Sequence, residues 1–123
     1  MKTEEIKDLL GKFEAIACEY EEVECWSARE LYPILGYAKW QTFENVLEKA
    51  REACRQAGVE PSDHFTGVSK TIAMPKGASK DIDDILLTRY ACYLIAMNGD
   101  PRKEQIAFAQ SYFAVQTRKV ELI

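Results

Sequence analysis

Residues 83–118, DDILLTRYACYLIAMNGDPRKEQIAFAQSYFAVQTR, decide the fold class of this 123-residue chain. Leu86, Leu87, Tyr90, Ala91, Cys92, Leu94, Ile95 and Met97 make residues 85–98 apolar nearly all round, the pattern of a helix buried at the centre of a domain. Arg89 is the one charge in it. A half-buried guanidinium needs a partner, and Asp83, Asp84 and Glu104 are the candidates, so a structural ion pair is expected rather than a ligand anchor. Asn98-Gly99 ends that helix, and Asp100-Pro101 starts the next as N-cap and first helical residue. In the second helix Ile106, Ala109, Tyr112 and Phe113 face the core. Asp81, Asp83 and Asp84 precede the first helix, where negative charge is favoured, and are read as capping it rather than as a metal site.

Upstream of this helical pair the periodicity breaks. Pro61, Gly67, Pro75 and Gly77 punctuate residues 60–80, while Phe65, Thr66, Val68, Thr71 and Ile72 suit a strand. A β-hairpin is expected, with residues 74–80 as its tip and 81–83 as its return. Its window 64–80 contains Lys70, Lys76 and Lys80 and no acid. Solvated edge lysines are the ordinary explanation; phosphate or acidic-partner contact is the functional one.

Further upstream, Ser27 followed by Glu30 has capping-box spacing and starts a short helix. Pro33 lies inside it, and Gly36 suits the left-handed position that ends a helix. A longer helix over 39–57 follows, with Trp40, Phe43, Val46, Leu47, Ala50, Cys54 and Ala57 on one face. Short helix, glycine turn and long helix outline a helix-turn-helix. Its outward face, however, carries Glu44, Glu48 and Glu52 as an acidic stripe, which phosphates would repel. Solvated Glu48–Arg51 and Glu52–Arg55 pairs are expected there instead.

The N-terminal helix is capped by Thr3, supported by Glu4 and Glu5, and buries Ile6, Leu9, Leu10, Phe13, Ile16 and Ala17; it is expected to end near Glu19. A short strand follows over 23–26. Residues 1–24 carry three basic and eight acidic side chains, a net −5, leaving +1 for the rest of a chain whose total is −4. A strongly basic nucleic-acid binder is thereby excluded, but a local cationic loop is not. At 47% hydrophobic and 29% charged, the composition fits one globular domain, read as an acidic helical arm (1–24) before a core (25–119). No apolar run is long enough for a membrane span, and a cytoplasmic location is expected. Residues 120–123 bring no stop signal, as in the N-terminal part of a longer protein.

Cys18, Cys25, Cys54 and Cys92 form no Cys-x-x-Cys pair and no zinc-ligand spacing, so free thiols are expected. The single histidine, His64, has no nucleophile elbow near it and is expected to satisfy a backbone group. No catalytic, cofactor or metal set emerges, and the chain reads as a non-enzyme.

The segments WSARELYPILGYAKWQTFENVLEKAREAC (26–54), DHF (63–65) and 83–118 together resemble the DNA damage-inducible protein D (DinD) family over residues 25–119. More distantly, Ala28-Arg29-Glu30-Leu31, Leu35-Gly36-Tyr37 and the two closing helices are similar to the Bro-N domain of phage antirepressors and baculovirus repeated proteins. The resemblance implies an α+β domain, induction in the SOS response under a LexA-type repressor, and a RecA-type recombinase filament as partner; it brings no catalytic residues. The fold expected is thus α+β and predominantly helical: about five helices with a small β-hairpin or short antiparallel sheet, Bro-N-like. Two functions follow. One is a non-enzymatic regulatory module acting on recombination through the recombinase filament. The other is a Bro-N-like DNA-binding domain using Lys70, Lys76 and Lys80, with Arg102, Lys103, Arg118 and Lys119 as further cationic contacts.

Overall fold

The computed structural model describes residues 3–122, with 114–122 as helix backbone alone. The described residues form five α-helices and a four-stranded sheet: α1 (Thr3–Ala15), β1 (Cys18–Tyr20), β2 (Val23–Ser27), α2 (Ala28–Ile34), α3 (Trp40–Gln56), β3 (Phe65–Ala73), β4 (Ser79–Leu87), α4 (Arg89–Met97) and α5 (Glu104–Leu122). The sheet is antiparallel throughout, in the order β1-β2-β4-β3. This corrects the expectation of a predominantly helical chain with a small hairpin or short antiparallel sheet. β3 and β4 are nine-residue strands paired along their full length, and two further strands extend the sheet from β4. Asp81, Asp83 and Asp84 lie within β4, so they do not cap α4; that role falls to Thr88, whose Oγ1 accepts from Ala91 N at 3.2 Å. Acids ahead of an apolar run look the same in a strand as in a helix cap, because the local pattern does not encode which partner strand waits beside it.

The short helix α2 forms where the sequence places it. Ser27, in extended backbone, accepts from Glu30 N at 3.3 Å. At the other end Gly36 N donates to Pro33 O at 3.0 Å and Tyr37 N to Tyr32 O at 3.1 Å, the paired closure of a Schellman turn. That closure needs the left-handed conformation Gly36 adopts, at φ +86°. A Cβ there would also stand 2.9 Å from Gln105 Oε1.

The core is built from Trp26, Leu31, Phe43, Leu47, Leu87, Ile95 and Ile106, all fully buried. The acidic arm is anchored to it. Phe13 of α1 stacks on Trp26 with ring centroids 4.7 Å apart, and Trp26 Nε1 donates to Phe13 O at 2.9 Å. Helix α1 ends at Ala15, four residues before the expected Glu19, because the chain must turn into β1 at Cys18. Helix α5 also starts later than expected. The Asp100 carboxylate accepts from both the backbone N and the guanidinium of Arg102, closing a turn, and the helix begins at Glu104. Arg89 does not pair with Asp83, Asp84 or Glu104. Its guanidinium lies over the Trp26 ring, 5.0 Å from the centroid, and donates to Glu24 Oε1 and Tyr112 Oη, both at 3.1 Å.

Candidate functional site

The β3–β4 hairpin runs out from the core. At its root Phe65, Asp84 and Leu87 are buried; towards its far end every residue from Ala73 to Asp81 is exposed. Antiparallel register puts directly opposed residues on one face, and the face alternates along the strand. Val68↔Asp84, Lys70↔Ile82 and Ile72↔Lys80 therefore share one face, while Ser69↔Asp83 and Thr71↔Asp81 share the other. Lys70 and Lys80 are thus segregated from Asp81 and Asp83. Lys76 sits at the tip, in a turn of 3-10 helix over Pro75–Gly77, where it and Gly77 both take positive φ (64° and 76°). The tip turn closes with Met74 N donating to Ala78 O at 2.9 Å.

The three lysines are not equivalent. Lys70 Nζ is engaged by Glu30 Oε1 of α2 at 3.3 Å, whereas no ion pair holds Lys76 or Lys80 among the described residues. Asp84, on the same face, is buried at the root. Its carboxylate accepts from the Ser27 hydroxyl, from Arg29 N at 3.0 Å and from Ile85 N at 2.8 Å. The one carboxylate that the β3–β4 ladder places on the lysine face is therefore consumed in fixing the start of α2 to β4, and the open end of that face is cationic.

The other cationic candidates fall elsewhere. Arg102 is exposed but bound to Asp100 through two of its nitrogens. That pairing, chiefly the hydrogen bonds from Arg102, holds the Asp100 carboxyl below the usual carboxylate range. Lys103 Nζ donates to Gly36 O at 3.2 Å and lies 5.3 Å from the Tyr37 ring centroid, so it closes the end of α2. The side chains of Arg118 and Lys119 lie outside the described residues. The structure thus brings Lys70, Lys76 and Lys80 together on one hairpin, while Arg102 is held by Asp100 within the α4–α5 turn and Lys103 by the end of α2.

Sequence reasoning passed over a second feature at the hairpin root. The Arg29 guanidinium covers Trp40, 3.9 Å from the ring centroid, and Nε donates to Asp83 O at 3.0 Å. With Glu44, Glu48 and Arg51 these residues line a cleft of about 190 Å³ between α3 and β4. Nothing in the spacing of Arg29, Trp40 and Asp83 announces it, since it depends on the crossing of α3 over the sheet. The two ion pairs expected on the acidic stripe of α3 form: Arg51 bonds Glu48 at 2.7 Å, and Arg55 bonds Glu52. Gln56 first, and Arg55 with it, depress the Glu52 carboxyl.

His64 is a fixture of the fold. Its Nδ1 lies 2.6 Å from Thr88 Oγ1, its carbonyl accepts from Thr88 N at 3.2 Å, and its ring meets Tyr90 edge-on. Among the described residues there is no group of His, Cys, Asp and Glu able to hold a metal ion, and no helix is long and apolar enough to cross a membrane.

The family model for the BRO family, N-terminal domain (Bro-N), matches residues 15–114. DNA damage-inducible protein D of Escherichia coli (strain K12) is 46% identical over 99 residues, which cover 80% of this chain and 36% of the relative. The chain thus spans little more than a third of that relative's length. No solved structure matches. The matched span runs from the end of α1 through the sheet and into α5, so the whole hairpin and its anchoring helices lie within it, and the chain belongs to the BRO family by its N-terminal domain.

Proposed function

We propose that this domain is a non-enzymatic, cytoplasmic regulatory module of the DNA-damage response that contacts nucleic acid through the end of its β3–β4 hairpin. The observation that carries the reading is the segregation of charge on that hairpin. Lys76 and Lys80 stand exposed at its far end and without an ion pair among the described residues, while the carboxylate on the face of Lys80, Asp84, is buried in the root. Flexible ammonium groups on a projecting ribbon suit phosphate contact without base readout. Similarity to a protein named for induction by DNA damage supports the setting.

The test is fluorescence anisotropy with labelled single- and double-stranded DNA across a salt series. Two or three phosphate contacts predict a log–log slope of roughly −2 to −3 on duplex. Replacing Lys70, Lys76 and Lys80 together by Glu is expected to lower affinity at least tenfold and flatten that slope. A triple variant that keeps full affinity would exclude the hairpin as the contact.

A second reading, a RecA-type recombinase filament as partner, is favoured by one observation: β3 is the sheet's edge, so its outer backbone groups are open to pairing with a partner strand. The same titration run with recombinase-coated DNA separates the two. Binding to the coated strand with none to bare DNA at low salt would favour the filament and reject direct DNA contact.

A further inference from the structure

Cys18 and Cys25 are directly opposed in the β1–β2 register, and their sulfur atoms lie 3.1 Å apart. Opposed residues in an antiparallel ladder have Cα atoms about 4.5–5.5 Å apart, inside the window that a disulfide spans without backbone movement. Cys18 is exposed and Cys25 is buried, so one thiol meets solvent and the other waits behind it. The other two cysteines have no such arrangement: Cys54 and Cys92 are buried on α3 and α4, and Cys54 Sγ donates to Val59 O at 3.5 Å. We propose that Cys18 and Cys25 are a redox modification site, joined by a reversible intramolecular disulfide when the cell is oxidised.

The exposed sulfur reacts first. A peroxide oxidises the Cys18 thiol to a sulfenic acid and is itself reduced to water. The Cys25 sulfur then attacks Cys18 Sγ, forming the S–S bond and breaking the S–O bond; the hydroxyl leaves as a second water, taking the Cys25 proton. Burial, with Cys18 and Glu24 beside it, pushes the Cys25 thiol up to about 12, so Cys25 is not the first to react; the 3.1 Å approach of the two sulfurs is what lets it resolve the sulfenic acid. A dithiol reductant reverses the step by thiol–disulfide exchange.

The hairpin gives this chemistry something to control. β1 has three residues, all exposed, and pairs only with β2. Glu19 is directly opposed to Glu24, a repulsive pair, and the turn places Glu21 and Glu22 both at positive φ (50° and 69°). As a three-residue edge strand with no buried side chain, β1 is the least secured strand of the sheet. Oxidation therefore staples a hairpin that its own charges loosen, next to Glu24, the partner of Arg89.

The experiment treats the purified protein with hydrogen peroxide, or equilibrates it in glutathione buffers, and then maps thiols by mass spectrometry. Trypsin yields residues 13–29 as one peptide holding both cysteines. Oxidation is expected to remove two hydrogens from it and two of the four titratable thiols from the protein; cleavage after the intervening glutamates should leave its halves joined until reduced. Backbone amides of β1 should gain hydrogen-exchange protection. In Cys25→Ser, Cys18 should instead be trapped as a sulfenic acid or glutathione adduct. Recovery of peptide 13–29 with both thiols intact, a glutathione adduct on Cys18 in the unsubstituted protein, or a Cys18 bridge between two chains would each overturn the proposal. None of these readouts depends on DNA binding.

Discussion

Asp84 is the residue on which two distant parts of the chain meet. It lies on β4, yet its carboxylate serves Ser27 and the first turn of α2, 55–57 positions earlier. A buried carboxylate with three donors leaves those donors stranded when it is removed. Asp84→Ala is expected to cost about 2–4 kcal/mol in urea denaturation, with Asp84→Asn recovering part of that by keeping an acceptor. Ser27→Ala removes both a helix cap and a donor to Asp84 and should cost about 1–2 kcal/mol. The sequence reveals half of this arrangement. The cap is legible because Ser27 and Glu30 are three residues apart, but Asp84 is not, because its partner lies beyond any local window. Arg89 shows the same limit: its need for a partner is evident from its apolar surroundings, and Glu24, 65 positions away, is not.

At the scale of the element, the two hairpins solve their turns differently. Two-residue turns with positive φ at both positions favour Asn-Gly, and β1–β2 uses Glu21-Glu22. The double substitution Glu21→Asn, Glu22→Gly is expected to raise stability by about 1–2 kcal/mol, seen as a higher Tm, because it relieves left-handed strain and removes like charges. In β3–β4, Gly77 takes φ +76° with open space around it, so Gly77→Ala should cost about 1 kcal/mol from backbone conformation alone. Elements whose signals are local were legible: the start and stop of α2, the apolar face of α3, and the β-character of residues 65–73. What was not legible was the reach of β4. Its alternating apolar and acidic residues also suit a helix entrance, and only the matching length of β3 beside it resolves the choice. The hairpin lysines could be named from an acid-free window, but their segregation from Asp81 and Asp83 follows from register.

For the molecule as a whole, Arg89 is the junction that ties the acidic arm to the closing helices. Burial opposes its charge, but the hydrogen bonds it donates to Tyr112 and Glu24 more than offset this and raise its affinity for the proton. Because the Arg89–Glu24 pair is about half in solvent, its coupling should be modest, about 0.5 kcal/mol in a double-mutant cycle of Arg89→Met with Glu24→Gln, and should shrink in high salt. The −5 of residues 1–24 is not a detached tail, since Phe13 and Trp26 fix it against the core; its field is held in place relative to the cationic hairpin end.

The strand order has a consequence for how the chain is made. β2 finds its sheet partner in β4, with Ser27 opposite Leu86, so residues 28–85 form one long excursion that must return before β2 is covered. During synthesis the N-terminal third can stack Phe13 on Trp26, but it has no second sheet neighbour and an unfinished α2 start until β4 has left the ribosome. Closing so long a loop is an entropic barrier paid ahead of its contacts. The domain should therefore fold late and nearly all at once, with the nascent arm dependent on β4, some sixty residues further along the chain.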